Sequence, residues 1–409
     1  MVKEAAAVLF SRLMSVPAVP PTRSIMLLSV AAFASAASLR VPDALLPQVS
    51  ADFVVSIGTA SVIVTGYTIA YGFMQAFYGP VGDRYGKYLI IAITTLVSAL
   101  ATLACAFAPS LSVLATARFV AAAASCAVIP LSMAWVGDVV PYEQRQAMLS
   151  RFISGQILGM VFGQIAGGIL GDLIGWRMVF VVLAGVYVLA GLALFAKMRR
   201  DARTREASNP TASLSPVAIA RNYGGLLRRP WIRVVLLTVS IEGFLYFAAF
   251  AFAGAELHRR FDLSYTMVGV ALTALGAGGM SYALFARHFV RLLGERGLAI
   301  GGGAVLCVAF PLFALTGELL GAVLAIYLSG LGFYMLHNTL QTNGSQMAPE
   351  ARGSGLALFA SCLFVGQSIG VALSAIVVDR LGATPIFLAC GPLLLVVGLY
   401  FAAALRRRP

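Results

Sequence analysis

Charge is the scarcest thing in this chain. Only 11% of its 409 residues are Asp, Glu, Lys or Arg, and 16 of them are acidic. A soluble domain of this length carries about a quarter charged residues, so a water-facing fold is excluded. The five cysteines (Cys105, Cys126, Cys307, Cys362, Cys390) are scattered within apolar runs, with no C-x-x-C spacing. That pattern argues against a disulfide framework and a thiolate metal site. No G-x-x-x-x-G-K-[ST] loop occurs, which excludes an ATP-driven pump. No stretch has the composition of an appended soluble domain, which disfavours a sensor or scaffold.

What is present is apolar. Hydrophobic residues make up 60% of the chain, and the mean hydropathy is +0.91. Runs of about 20 apolar residues recur, the length that crosses about 30 Å of hydrocarbon. A β-barrel would show segments of about ten alternating residues instead. The fold class is therefore an all-α polytopic membrane protein. Its twelve spans lie at roughly 24–41, 53–78, 88–108, 110–137, 147–171, 176–196, 231–255, 265–287, 298–316, 319–346, 354–378 and 383–405.

Residues 1–23 form a tail in which Arg12 breaks the apolar core, so it reads as an uncleaved lead-in. Residues 197–230 are charged, then Ser/Pro-rich, then charged again, as a linker would be. Two bundles, 24–196 and 231–409, flank it. The net charge of +13 reflects loop placement and not nucleic acid. Arg84 and Lys87, Arg145 and Arg151, the linker, Arg287, Arg291, Arg296 and the C-terminal arginines fall on one side. Arg40, Arg177, Arg259, Arg260 and Arg380 fall on the other. Cytoplasmic loops carry the excess of Lys and Arg, which puts both termini and the linker in the cytoplasm of a cell with an inner or plasma membrane.

The bundles repeat. Residues 145–180 lie on 352–387 without a gap: Gly159 meets Gly366, Gly163 meets Gly370, Asp172 meets Asp379 and Gly175 meets Gly382. A weaker echo pairs "GDRYG" with "GERG" (294–297), Glu295 standing in for Asp83. Parallel repeats of this kind are the plan of rocker-type transporters.

Twelve spans, a six-plus-six repeat and "GPVGDRYGK" between spans 2 and 3 resemble the major facilitator superfamily. Its signature there is G-x-L-A-D-R-x-G-R/K. Gly79, Asp83, Arg84, Gly86 and Lys87 match, and the resemblance implies a cytoplasmic latch. On this reading the stretch is a turn, with Gly79 and Gly86 supplying close approach and positive φ. Arg118 matches the family's R-x-x-q-G arginine, often tied to proton coupling, although Ala replaces the Gln and Gly. Gly155, Gly159, Gly163 and Gly167 recur every four residues and line one helix face. Gly159, Gly163, Gly167 and Gly168 resemble the drug antiporters' G-x-x-x-G-P-x-x-G-G, Gln164 replacing the Pro. Arg40 and Asp43, in an R-x-x-D-x-L-L-P stretch, read as an ion pair near the outer surface, a gate or proton access point.

Glu242 is the acid placed most centrally in any span. A charge at that depth is costly unless paired or wet, so it reads as a proton-coupling group with Arg118 and Asp43. Tyr246, one turn on, is expected to share its cavity. His337, Asn338 and Gln341 fall mid-span, and with Gln156 and Gln164 they are the substrate-cavity candidates. Asp138 is expected to pair with Arg145 or a neighbouring turn.

The resulting reading is a proton-coupled secondary transporter exporting small, partly hydrophobic compounds, working as a single chain without cofactor or metal. An importer of a sugar or similar nutrient is the alternative. Anionic substrates are disfavoured because few cations reach the cavity.

Overall fold

A computed structural model describes residues 22–201, 204, 215–348 and 352–407. Most of the tail 1–23 and part of the linker lie outside them. Among the described residues, ten helices are long and apolar enough to cross a membrane. Two of these are double. Ala147–Arg200 runs 54 residues and Tyr265–Leu315 runs 51. Each is broken by one glycine in a non-helical conformation, Gly175 (φ 79°, ψ 157°) and Gly294 (φ 61°, ψ 179°). Only glycine adopts such torsions without strain. Each double helix is therefore two spans.

Span 1 is Thr22–Arg40 continued by Pro42–Asp52, and span 2 covers Ile57–Tyr85. Spans 3 and 4 are Lys87–Ala106 and Leu111–Val139, and spans 5 and 6 are the arms of Ala147–Arg200. A linker helix, Pro216–Leu227, leads to span 7, Pro230–Phe261. Spans 8 and 9 are the arms of Tyr265–Leu315. Spans 10, 11 and 12 are Leu319–Gln346, Gly353–Leu381 and Thr384–Leu405. Successive crossings alternate, so the linker and the ends of spans 2, 4, 8 and 10 share a near face. The ends of spans 1, 5, 7 and 11 share the far face.

The repeat is written in the backbone. The glycines with positive φ among the described residues are Gly86, Gly175, Gly294 and Gly382. They form two equivalent pairs, Gly86 with Gly294 at the near-face turns and Gly175 with Gly382 at the far-face turns. This corrects the register of the "GERG" echo. Gly294 is the counterpart of Gly86, so Glu295 occupies the place of Lys87 and not of Asp83.

The glycine face of span 5 meets the backbone of span 1. A Cβ on Gly155, Gly163 or Gly167 would lie 2.8, 2.6 or 2.8 Å from the carbonyl oxygens of Ser29, Ala37 and Val41, and one on Gly159 would collide with Phe33. The same packing recurs in the second half, where Gly366 and Gly370 of span 11 sit on the carbonyls of Ser240 and Phe244 of span 7. Without a hydrophobic drive inside lipid, close backbone approach of this kind is what holds helices together.

"GPVGDRY" is helical and not a turn. Span 2 continues to Tyr85 with Pro80 inside it, and Gly86 (φ 96°) alone makes the reversal. Gly79 has open space around it and needs no special torsion. Gly82 is the tight position, since a Cβ there would meet Leu131 at 2.7 Å.

Candidate functional site

Glu242 lies in the middle of span 7, fully enclosed. Its Oε2 is 2.8 Å from Nδ1 of His337 on span 10, while Oε1 has no hydrogen-bond partner among the described residues. The sequence singles out both residues, 95 positions apart, without pairing them. The imidazole is stacked on Phe333 (centroids 4.9 Å apart, planes at 11°) and flanked by Phe359. His337 keeps 12% of its side chain exposed against none for Glu242. The histidine therefore stands between the acid and open space. A carboxyl with one oxygen bonded to an imidazole and the other unpartnered can hold a proton and exchange it through that ring.

Tyr246 is not a lining residue. It is 1% exposed, hydrogen-bonded to Ser329 Oγ (3.4 Å) and surrounded by Phe247, Phe250, Phe310 and Phe333. It belongs to the core of the second half. Gln341, one turn from His337, is exposed, and Asn338, one turn from Tyr334, is half-buried. Gln156 is half-buried on span 5, whereas Gln164 is buried beside Asp43.

Arg40 and Asp43 are not solvated at the surface. They pair at 3.7 Å with 13% and 8% of their side chains exposed. Arg40 reaches over the ring of Phe247, 5.0 Å from its centroid, and so crosses from span 1 to span 7. Pro47 has no amide to give the carbonyl of Asp43, and that carbonyl packs directly on Gly254 of span 7. The pair marks the seam between the halves.

Arg118 is 1% exposed and does not snorkel. Its Nη1 donates to the carbonyl (2.9 Å) and hydroxyl (3.2 Å) of Ser38, and its guanidinium lies 3.9 Å from the Tyr67 ring centroid. Among the described residues it has no ion-pair partner. The arginine, span 1 and span 2 are thereby tied into one polar core of the first half.

The latch motif pairs within its own half. Lys87 bridges Asp83 and Asp138, 2.8 Å from each, so Asp138 pairs with the motif and not with Arg145. Arg145 instead donates to the carbonyls of Gly137 (2.5 Å) and Val140 (3.3 Å). Arg84 lies over Tyr85. In the second half an acid stands at the place of Lys87: Glu295 accepts from the neutral amide of Asn343 of span 10 (3.4 Å).

Hydrogen bonds between the halves sit toward the far face. Asp172 of span 5 accepts from the amides of Tyr265 (3.1 Å) and Thr266 (2.6 Å). Asp379 of span 11 accepts from Gly58 N (2.8 Å) and Ser56 Oγ (2.6 Å). Thr68 and Ser368 join hydroxyls at 2.7 Å midway. The far side is closed. The sequence marks Asp172 and Asp379 only as equivalent positions, because their partners are mostly backbone amides.

The description "Major Facilitator Superfamily" matches residues 28–370. The chain is 25% identical to the MFS-type transporter YceJ of Bacillus subtilis (strain 168) over 81% of this chain and 83% of that one. It is 24% identical to a probable sugar efflux transporter of Helicobacter pylori (strain ATCC 700392 / 26695), covering 88% and 89%. A crystal structure of a point mutant of the nucleoside transporter NupG superposes with a TM-score of 0.76 at 14% identity, covering 93% and 99%. Repeat, seam, buried central acid and family match agree. The chain belongs to the Major Facilitator Superfamily: it is a multi-pass membrane transporter of small molecules, not an enzyme, and it works by alternating access.

Proposed function

We propose that this transporter couples export of small, partly hydrophobic compounds to proton movement, with Glu242 and His337 as the coupling pair. The observation that carries this reading is their 2.8 Å contact, with the acid enclosed and the imidazole partly open. A proton on Glu242 removes a charge from the span 7–span 10 packing, and an ionised Glu242 requires a protonated or donating His337. Substrate near Asn338, Gln341 and Tyr334 would bias that exchange through differential affinity for the two states. Asp43 and Arg118 act on the first half, Asp43 by its loose pair with Arg40 at the seam. The relative described as a probable sugar efflux transporter supports export. The distribution of Lys and Arg supports cytoplasmic termini in a cell or inner membrane, with the near face inside. The chain acts as a single copy whose two six-span halves rock about the seam.

The test is ligand-induced proton release from purified protein in weak buffer, using a panel of lipophilic cations, neutral antimicrobials, dyes and sugars. Release by lipophilic compounds in wild type, abolished in Glu242→Gln, is the expected outcome. Binding of a sugar or organic acid without proton release would overturn export in favour of nutrient uptake.

A further inference from the structure

The far-face clasps carry no role that the sequence announces, yet they recur in equivalent places in the two halves. Ser56 and Ser264 are both helix N-caps in extended conformation (φ −66°, ψ 158° and φ −61°, ψ 159°). Each hydroxyl accepts from the amide three residues on, Thr59 and Met267. Facing each cap is an aspartate from the opposite half: Asp379 at Ser56 and Gly58, Asp172 at Tyr265 and Thr266. The two aspartates are equivalent in the repeat, and so are the two caps. The small residues beside them are exchanged in the same way. Gly168 of span 5 packs on the carbonyl of Tyr265, and Gly58 of span 2 packs on the carbonyl of Ala375.

A carboxylate at a helix start accepts orphan amides and meets the positive end of the helix dipole. Had either aspartate capped a helix of its own half, it would add only to that half's stability. Both reach across the seam. Opening the far side must therefore break both clasps together and return four donors to water.

We propose that Asp172 and Asp379 are positioning residues for alternating access, paired clasps that set how often the far side opens. They touch neither substrate nor the Glu242–His337 pair, so they act on the conformational equilibrium of transport. Charge-assisted bonds are about twice as strong as neutral ones, so neutralising one carboxylate is expected to raise the far-open fraction about tenfold. Removing both is expected to raise it further, because the two clasps share no donor.

The experiment is a distance measurement between spin labels on the far face. Leu173 and Leu320, 73% and 80% exposed, are replaced by Cys for labelling, with the native cysteines changed to Ala. Distances are recorded in lipid nanodiscs for Asp172→Asn, Asp379→Asn and the double variant. Growth of a longer-distance population, larger in the double variant, in protein that remains folded and monodisperse, is the expected result. An unchanged distance distribution in a folded double variant overturns the proposal. Ser56→Ala removes the hydroxyl donor to Asp379 together with the N-cap acceptor for Thr59 N, and is expected to shift the same population by a smaller factor than Asp379→Asn. It keeps the test decisive if an aspartate variant fails to fold, since no shift there also counts against the clasp.

Discussion

Tyr223 of the linker helix donates its hydroxyl to the carbonyl of Ala76, 2.9 Å away. That carbonyl lies one turn before Pro80, which has no amide to offer it. A proline gap in span 2 thus becomes the docking point for the segment joining the halves. Burial pushes the Tyr223 phenol above its usual range, so the hydroxyl remains a donor throughout neutral pH. Tyr223→Phe is expected to lower stability by about 1 kcal/mol, the net worth of such a bond. In a Pro80→Ala background the loss should nearly vanish, because the substituted residue would supply the missing amide. Thermal unfolding of the four members of this cycle checks it; equal losses in both backgrounds would contradict the pairing.

The Glu242–His337 contact makes a sharper prediction. Removing one partner of a buried pair leaves the other uncompensated, at a cost of about 3–5 kcal/mol. His337→Ala should therefore destabilise wild type strongly and a Glu242→Gln background weakly. The same double-mutant cycle read by transport should show at least tenfold loss for either single change, and little more for both.

Glycine positions should divide sharply. Gly159→Val and Gly163→Val drive side chains into the span 1 backbone, and overpacking of this kind costs about 1–3 kcal/mol or more. Gly79→Ala enters open space inside a helix and is expected to be neutral or to stabilise by up to about 1 kcal/mol. Melting temperature and monodisperse yield in detergent distinguish the two classes. A stable Gly163→Val variant would show that span 5 does not pack on span 1 as described.

Arg118→Lys keeps the charge but loses the planar stack on Tyr67 and the paired contacts with Ser38. A loss of about 1–2 kcal/mol is expected from the stacking alone. Tyr67→Leu should cost less in the Arg118→Lys background than in wild type. Additive losses would mean that the ring and the cation do not interact.

Much of this was legible because lipid imposes severe rules. Runs of apolar residues, the glycines at every fourth position and the costly charge of Glu242 all stand out against a uniform background. The misreadings came where local chemistry was compensated from elsewhere. "GPVGDRY" has the residues of a turn, yet it is helix, and Tyr223 takes up the carbonyl freed by Pro80. Arg40 and Asp43 looked like surface charges, yet span 1 continues past them through Pro47 and carries them into the seam. Tyr246 shares a helix with Glu242 but faces a ring of phenylalanines, a contact set drawn from spans 7, 9 and 10.

The sequence by itself determined the number of spans, the repeat and the family, because helix length and glycine periodicity are properties of one segment read alone. It also named Glu242 and His337, since an ionisable group amid hydrocarbon is conspicuous without a structure. Only the tertiary structure decided that these two touch, that Lys87 answers Asp138, and that Asp172 and Asp379 clasp the opposite halves. Each of those contacts joins residues distant in the chain, and several end on backbone amides or carbonyls. Every residue carries those groups, so no side-chain pattern announces which of them a neighbouring helix will meet.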